Sequence, residues 1–379
     1  MPTYPAPEVT FVRGEGSRLY DAEGRAYLDF LGGLAVTSLG HSHPEVTAAI
    51  ADQAATLLHV CNLYGTTVGP EVAATLDRLV GGGGQVFFCN SGAEANECAI
   101  KLARKWAGAP ARHVVVSAEG SFHGRTLATL HATGQPARHA PFEPLPQGFR
   151  HVPYGDVAAL ATAVEAADVA AVLLEPLQGE GGVNVPPPGY LAAARRLCDE
   201  RGILLAVDEV QTGLGRTGKW FGFQHDDVTP DVVTMAKALG NGMPIGACWA
   251  RSEVAAAFVP GDHGTTFGGQ PLATAAARAV LKVMEEEDVP ARAARAGARL
   301  AAGLSALPEV ASVRGKGLLL AAELTTAQAR QTASAALRRG LVVNPVTSSA
   351  IRLAPSLLVT DAEIDEALGI LGAVLAQAA

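Results

Sequence analysis

Short runs of consecutive apolar residues recur along the middle of the chain, and segments with helical patterning separate them. No polar residue alternates within these runs, as expected for parallel strands that helices cover on both faces of a sheet. One intervening segment, residues 190–201, places Leu191, Ala194 and Leu197 on one helical face. The runs are residues 86–88, 114–116, 169–174, 203–207, 232–233 and 247–250. They predict an α/β domain with a mainly parallel central sheet over residues 45–265.

The two ends of the chain have a different pattern. Residues 20–30 read as a hairpin, with a turn at Glu23 and Gly24. After about residue 270 follow an alanine-rich helix, strands near residues 313–323, 341–344 and 351–354, and a closing helix. Thr360 and Glu363 form a capping box for that last helix. We predict that residues 1–44 and 266–379 join into one smaller α+β domain.

Composition excludes several classes of function. A net charge of −8 argues against a nucleic-acid surface, which needs clustered Lys and Arg. The five cysteines include no CxxC pair, and the histidines of GHSHPEV, His41 and His43, lack further ligands at suitable spacing, so no metal site is predicted. No apolar stretch is long enough to span a membrane, and the N-terminus lacks the pattern of a signal peptide. We expect a cytoplasmic protein.

The segment DEVQTGLGRTGKW, residues 208–220, resembles two nucleotide-binding motifs but matches neither well. A dinucleotide fingerprint needs its first glycine directly after the strand, where Asp208 and Glu209 stand instead. In a phosphate-binding loop of the GxxxxGK[ST] type, Trp220 would replace the hydroxyl residue that holds magnesium. The segment is therefore interpreted as a loop rich in turns.

Two charged residues at strand ends are candidates for chemistry. Asp208 follows a buried run at the edge of the sheet where ligands of α/β proteins bind, although it could also cap the next turn. Lys237 stands alone in an apolar frame at the end of the next run. A buried lysine either extends its amine to solvent or is used chemically, because burying a charge is costly. A desolvated amine with a lowered pKa suits Schiff-base formation.

A third candidate is the segment FCNSGAEAN, residues 88–96, which passes from a strand through a Ser-Gly turn into a helix. The free backbone amides at such a helix start form a natural phosphate site.

Taken together, seven segments resemble the class III family of pyridoxal-phosphate aminotransferases over nearly the whole chain. They are NSGAEANE at residues 90–97, SFHGRT at 121–126, LEPLQGEGG at 174–182, DEVQTGLGRTGK at 208–219, AKALGNGMPIGA at 236–247, HGTTFGG at 263–269 and IRLAPSL at 351–357. Asn241 and Gln270 depart from residues common in the family. The resemblance implies a fold-type I homodimer that binds pyridoxal 5′-phosphate.

The resemblance also implies roles for the residues around the cofactor. Lys237 holds it covalently and moves the substrate proton, and Asp208 pairs with the pyridine nitrogen. Val210 and Phe122 cover the two ring faces, and Gln211 binds the ring hydroxyl. The phosphate is held by Ser91, Gly92 and Ala93, and by Thr266 of the partner subunit.

For the substrates, the resemblance implies that Arg125 binds a carboxylate with its planar guanidinium. Thr265 contacts the amino donor across the dimer, and Tyr4 occupies a position where relatives that use ornithine carry a substrate-contacting tyrosine. Glu180 and Arg352 match a pair in which the carboxylate masks the arginine until a dicarboxylate needs it.

The implied reaction is ping-pong transfer of the ω-amino group of N2-acetylornithine to 2-oxoglutarate. Related activities on succinylornithine, ornithine, 4-aminobutyrate or succinyl-diaminopimelate remain alternatives. An aminomutase is a different class, which Glu180 with Arg352 argues against because a mutase needs no separate oxo acid. A nucleotide-dependent oxidoreductase that uses GLGRTG is the last alternative.

Overall fold

The computed structural model describes residues 1–378. Its strands are β1 (Phe11–Glu15), β2 (Arg18–Asp21), β3 (Ala26–Asp29), β4 (Gly84–Cys89), β5 (Val114–Ala118), β6 (Phe149–Val152), β7 (Val169–Leu174), β8 (Leu204–Asp208), β9 (Val232–Met235), β10 (Gly246–Arg251), β11 (Val310–Lys316), β12 (Leu319–Leu324), β13 (Leu341–Val342), β14 (Asn344–Pro345) and β15 (Ala350–Leu353).

The helices that connect and cover these strands vary from one turn to five. They are α1 (Gly32–Ala35), α2 (Pro44–Thr56), α3 (Val68–Val80), α4 (Gly92–Trp106), α5 (Leu127–Ala132), α6 (Pro136–His139), α7 (Val157–Val164), α8 (Tyr190–Arg201), α9 (Ser252–Ala255), α10 (Pro271–Glu286), α11 (Val289–Ser305), α12 (Ala329–Arg338) and α13 (Asp361–Ala378).

The central sheet has the strand order β4-β10-β9-β8-β7-β5-β6. The pairs β9–β8, β8–β7, β7–β5 and β5–β6 are parallel, which confirms a mainly parallel sheet. Strand β10 runs antiparallel to both of its neighbours, unlike the predicted parallel direction. Its connection from β9 spans only residues 236–245, whereas a crossover to a parallel strand needs roughly a dozen residues or more.

The middle strands of this sheet are enclosed on both faces. Every residue of β7 and β8 is buried, which explains their unbroken apolar sequences. Helix α4 lies against β9 and β10, and α8 contacts β7 and β8. The edge strand β6 was not predicted, because Arg150 and His151 interrupt its apolar pattern and it is only partly buried.

The two ends of the chain meet in smaller sheets. β13 pairs in parallel with β3, with Leu341 opposite Leu28, and so extends the predicted hairpin of β2 and β3. A second sheet has the order β11-β12-β15-β14. In front of α13 the predicted capping box is present: the Thr360 amide donates to Glu363 Oε2 at 2.8 Å, and the Glu363 amide donates to Thr360 Oγ1 at 3.3 Å.

Helix α10 links the C-terminal part to the centre, since it lies against α2 and α3. The boundaries at residues 44 and 265 therefore stay predictions. None of the helices among the described residues has both the length and the apolarity needed to cross a membrane.

Candidate active site

A cavity of about 370 Å³ opens at the carboxyl ends of β8 and β9 and at the start of α4. This is the edge of an α/β sheet at which ligands bind. Of the predicted cofactor contacts, the cavity is lined by Ser91, Gly92, Ala93, Phe122, Val210 and Gln211. Asp208 and Lys237 also line it, and so do the substrate candidates Arg125 and Glu180.

Asp208 lies in the cavity wall, within a buried hydrogen-bond network. Its Oδ2 lies 2.8 Å from both Asn96 Nδ2 and His123 Nδ1. Its Oδ1 accepts a hydrogen bond from the Val210 amide at 3.0 Å, so it also performs the turn-capping role considered from sequence. Thr234 Oγ1 in turn donates to Asn96 Oδ1 at 2.8 Å. The network fixes the orientation of a buried carboxylate that faces the cavity.

Sequence reasoning missed His123 and Asn96 as members of this network. His123 lies directly after Phe122 in the SFHGRT segment, and Asn96 lies in the NSGAEANE segment. The Nε2 atom of His123 is buried and has no hydrogen-bond partner among residues 1–378. Only their presence in the two motifs could have suggested either residue.

Lys237 is the first residue of a short 3₁₀ turn that follows β9. Its backbone φ is +46°, an angle that residues with a side chain adopt rarely and that often marks a functional position. Burial lowers the pKa of the Lys237 amine, although the carboxylate of Glu180 acts in the opposite direction. A lowered pKa increases the fraction of the neutral, nucleophilic amine, and this amine faces the cavity.

The start of α4 supplies backbone amides to the cavity. Ser91 is its N-cap, and its Oγ accepts a hydrogen bond from the Glu94 amide at 3.2 Å. A Cβ atom on Gly92 would lie 2.7 Å from Val210 Cγ1, so the close approach of the helix start to Val210 requires glycine. Unpaired amides at such a helix start favour an anionic group.

Charged side chains lie in the cavity wall and directly behind it. Arg352 Nη1 lies 2.5 Å from Glu180 Oε1, and Gln211 contacts both residues. Burial acts to raise the pKa of Glu180, but the charge and hydrogen bond of Arg352 hold it below its ordinary value. Arg352 Nη2 is buried and has no partner among residues 1–378. Arg125 is exposed, and its Cζ lies 5.6 Å from the ring centroid of Phe122.

Comparison with known proteins identifies the family of this chain. The family model for aminotransferase class-III matches residues 2–375. The chain belongs to the class III aminotransferases. It is 51% identical over 381 residues to the acetylornithine aminotransferase of Mycolicibacterium smegmatis, covering all of this chain and 96% of the relative.

Solved structures of aminotransferases share the fold of this class III aminotransferase. The N-acetylornithine aminotransferase of Stenotrophomonas maltophilia superposes with a TM-score of 0.87 at 39% identity, covering 99% of this chain and 97% of that one. The ornithine aminotransferase of Toxoplasma gondii superposes with a TM-score of 0.95 at 36% identity, covering 100% and 92%. Members of the family move an amino group from a donor to an oxo acid.

Four predicted residues of this class III aminotransferase do not line the cavity. Arg352 lies behind Glu180, and Tyr4 is 87% exposed near the N-terminus. Thr265 Oγ1 accepts hydrogen bonds from Asn90 Nδ2 and the Gly268 amide, both at 3.2 Å, and Thr266 is next to it in the same loop. Their predicted roles at the site remain predictions.

The class III aminotransferase has a further buried carboxyl group in its cavity wall. Glu175 accepts hydrogen bonds from the backbone amides of Phe122 at 3.0 Å and Gly179 at 3.2 Å. Burial raises its pKa to about 7, while the charge of His123 opposes that effect. Glu175 was not singled out from sequence, although the LEPLQGEGG segment contains it.

The GLGRTG segment serves packing in the described structure. The Arg216 guanidinium is buried and donates to the carbonyl oxygens of Leu318 at 3.1 Å and Pro355 at 2.6 Å. It also donates to Ser38 Oγ at 3.1 Å, so one side chain connects three distant parts of the chain.

Among residues 1–378, no cluster of His, Cys, Asp or Glu has the geometry of a metal site. His41 instead lies 2.8 Å from Asp29, measured from Nε2 to Oδ2.

Proposed function

We propose that this chain transfers the ω-amino group of N2-acetyl-L-ornithine to 2-oxoglutarate with pyridoxal 5′-phosphate, giving N-acetyl-L-glutamate 5-semialdehyde and L-glutamate. This is a reaction of arginine biosynthesis. The observation that carries the proposal is a partly buried lysine and a networked aspartate facing one cavity, in a chain about half identical to acetylornithine aminotransferases.

The residues present fit the cofactor. Desolvation lowers the pKa of the partly buried Lys237 amine, which suits a covalent bond to an aldehyde carbon. The amides of Ser91, Gly92 and Ala93 at the start of α4 suit the phosphate. When bound, pyridoxal 5′-phosphate supplies a ring that withdraws electrons from the substrate carbon carrying the amino group.

The protein's own groups then have separate tasks. Asp208, oriented by Asn96 and His123, keeps a proton on the ring nitrogen. Phe122 and Val210 would cover the ring faces, and Gln211 would bind the ring hydroxyl. The Lys237 amine would move the proton at the substrate carbon.

The outer part of the site accommodates two different substrates in turn. Arg125 binds the α-carboxylate of the amino donor through its guanidinium. Glu180 holds Arg352 while the donor is bound and releases it to the second carboxylate of 2-oxoglutarate. This exchange gives the Glu180–Arg352 pair a purpose that an aminomutase would lack.

The proposal includes a homodimer in which the partner's loop completes each site. Beside Thr265 and Thr266 lies an exposed apolar surface, made of Leu57, Leu58, Leu63, Tyr64 and Phe267. Asn62 Nδ2 ties this surface to the threonine loop through the carbonyl oxygens of Thr265 and Gly268, each at 3.1 Å. An apolar surface of this kind is typical of a protein interface. On this proposal Thr266 reaches the phosphate, and Thr265 the donor, of the neighbouring subunit.

The test is a half-reaction without any oxo acid. Acetylornithine, succinylornithine, ornithine and 4-aminobutyrate are added separately to the cofactor-loaded protein, and formation of pyridoxamine phosphate is followed by absorbance. We expect the fastest conversion with acetylornithine. A clear preference for another amine would contradict the proposed donor. Absence of conversion with all four would contradict the proposed activity.

A further inference from the structure

A second arginine lies beside the wall of the cavity, near the residue proposed to bind the donor carboxylate. Arg138, on α6, has its Cζ 5.8 Å from the ring centroid of Phe122. Arg125 approaches the same ring at 5.6 Å, and Phe122 lines the cavity. Two guanidinium groups therefore lie near one aromatic ring of the cavity wall.

Among the described residues, the Nε atom of Arg138 is hydrogen-bonded, whereas its two Nη atoms are not. Its Nε donates to Gln135 Oε1 at 2.5 Å, and Gln135 Nε2 donates to the Ser121 carbonyl oxygen at 2.9 Å. These bonds connect α6 to the segment that precedes Phe122. Within the described part of the chain no hydrogen bond uses either Nη atom of Arg138, so its fork of N–H groups is available to a ligand.

The excess of positive charge around Arg125 and Arg138 favours a ligand with more than one hydrogen-bond acceptor. Neither Arg125 nor Arg138 forms an ion pair within residues 1–378, and Glu180, the carboxylate near Arg138, is already held by Arg352. Burial lowers the pKa of Arg138, and the positive charge of Arg125 lowers it further, while Glu180 opposes both. An anionic group placed between the two arginines would relieve this unbalanced charge.

We propose that Arg138 is a specificity-determining residue that binds the acyl group of the amino donor while Arg125 binds its α-carboxylate. This inference rests on the proposed function, because it assigns the α-carboxylate to Arg125. We call the pair the two-arginine clamp. It also suits an acyl group that ends in a carboxylate, as in N-succinylornithine, because Arg138 would then form charge-assisted hydrogen bonds, which are roughly twice as strong as neutral ones. Arg138 therefore contributes more to binding of a succinyl group than to binding of an acetyl group.

The test compares kcat/KM for N-succinylornithine, N-acetylornithine and ornithine in the cofactor-loaded protein and in Arg138→Gln and Arg138→Lys. For Arg138→Gln we expect a loss of about tenfold or more with the succinyl donor and about two- to fivefold with the acetyl donor. Ornithine, which lacks an acyl group, should be unaffected. Arg138→Lys should restore part of the succinyl activity, because it keeps the charge but not the fork. Arg13→Gln is the matched control, since Arg13 lies over the ring of Tyr20 and outside the cavity.

The ratio of succinyl to acetyl activity decides the inference. A merely structural role for Arg138 would lower all three donors together, or lower cofactor absorbance, and leave the ratio unchanged; either result overturns the inference. Failure of the proposed function is separate, because it would appear as no conversion of either acylated donor by the unmodified protein. A fall of the ratio confined to the Arg138 variants supports the clamp.

Discussion

The two ends of the cavity are built on opposite principles. We call the buried network of Asp208, His123, Asn96 and Thr234 the floor. We call the charged groups Arg125, Arg138 and Glu180, with the buried Arg352 behind Glu180, the mouth. In the floor each side chain is at most 4% exposed and hydrogen-bonded to another member. In the mouth, Arg125 is exposed, and Glu180 and Arg352 form a pair that a ligand can divide. The floor is preorganised for one chemistry, whereas the mouth can rearrange between substrates.

Replacement of Lys237, whose amine senses the charges of both Asp208 in the floor and Glu180 in the mouth, should have the largest effect. Lys237→Ala removes the cavity-lining amine proposed to bind the cofactor and to move the substrate proton. We expect turnover to fall by about 10⁴-fold or more with every donor, because nucleophile and proton carrier are lost together. Borohydride reduction followed by mass spectrometry should find no cofactor bound to the variant. Lys219→Ala is the control, and full turnover in Lys237→Ala would end the assignment.

Asp208→Asn tests the floor itself. Asparagine keeps the shape but loses the charge that holds a proton on the ring nitrogen. Asn96 and the Val210 amide donate to different oxygens of Asp208, and the single amide oxygen of asparagine cannot replace both. We expect kcat to fall by about 10²- to 10³-fold, as for other preorganised electrostatic contacts. The loss should be equal for acetylornithine, succinylornithine and ornithine. Unequal losses would mean that floor and mouth are not independent.

The residues alone pointed to Asp208 in the floor and to Lys237, but to no member of the mouth, and the reason is geometric. Asp208 and Lys237 each end an apolar run, and the ends of neighbouring parallel strands meet at one edge of a sheet. The direction of β10 was not predictable in this way, because an apolar run has no orientation. Arg138 lies on a one-turn helix without periodicity, and only the tertiary fold brings it to Phe122. Roles for Tyr4 and Thr266 came from resemblance alone.

Glu180→Gln tests whether the mouth changes between substrates. Without the carboxylate, Arg352 would stay available, so a dicarboxylate would no longer compete with Glu180 for it. We expect KM for 2-oxoglutarate to fall by about tenfold. Selectivity for the oxo acid over the amino donor should therefore rise. Steady-state kinetics with both substrates measures this. Glu323→Gln is the matched control. Glu323 forms an ion pair with Arg314, with 2.6 Å between Oε2 and Nη1, and neither residue lines the cavity. An unchanged KM would show that Glu180 does not mask Arg352.

The last prediction concerns stability and not activity, next to the floor, where Glu209 follows Asp208. Glu209 accepts hydrogen bonds from Thr212 Oγ1 at 2.6 Å and from the Phe223 amide at 2.9 Å. Burial nevertheless raises its pKa to about 7 from an ordinary value of 4.5. The native state therefore binds a proton more tightly than the unfolded state. The stability that this proton contributes is full below about pH 4.5 and is lost as the pH rises through about 7.

Glu209→Gln should remove this pH dependence, because glutamine does not titrate. From pH 5 to 8, the free energy of unfolding of the unmodified protein should fall relative to that of the variant by up to about 3 kcal/mol, since each pKa unit corresponds to about 1.4 kcal/mol. Thermal unfolding of the cofactor-loaded protein across this range measures the difference, with the exposed Glu200→Gln as control. A constant difference would mean that Glu209 is ionised in the native state throughout. The rigidity beside the floor would then depend on a buried carboxylate that its hydrogen-bond donors stabilise fully, not on a protonated acid.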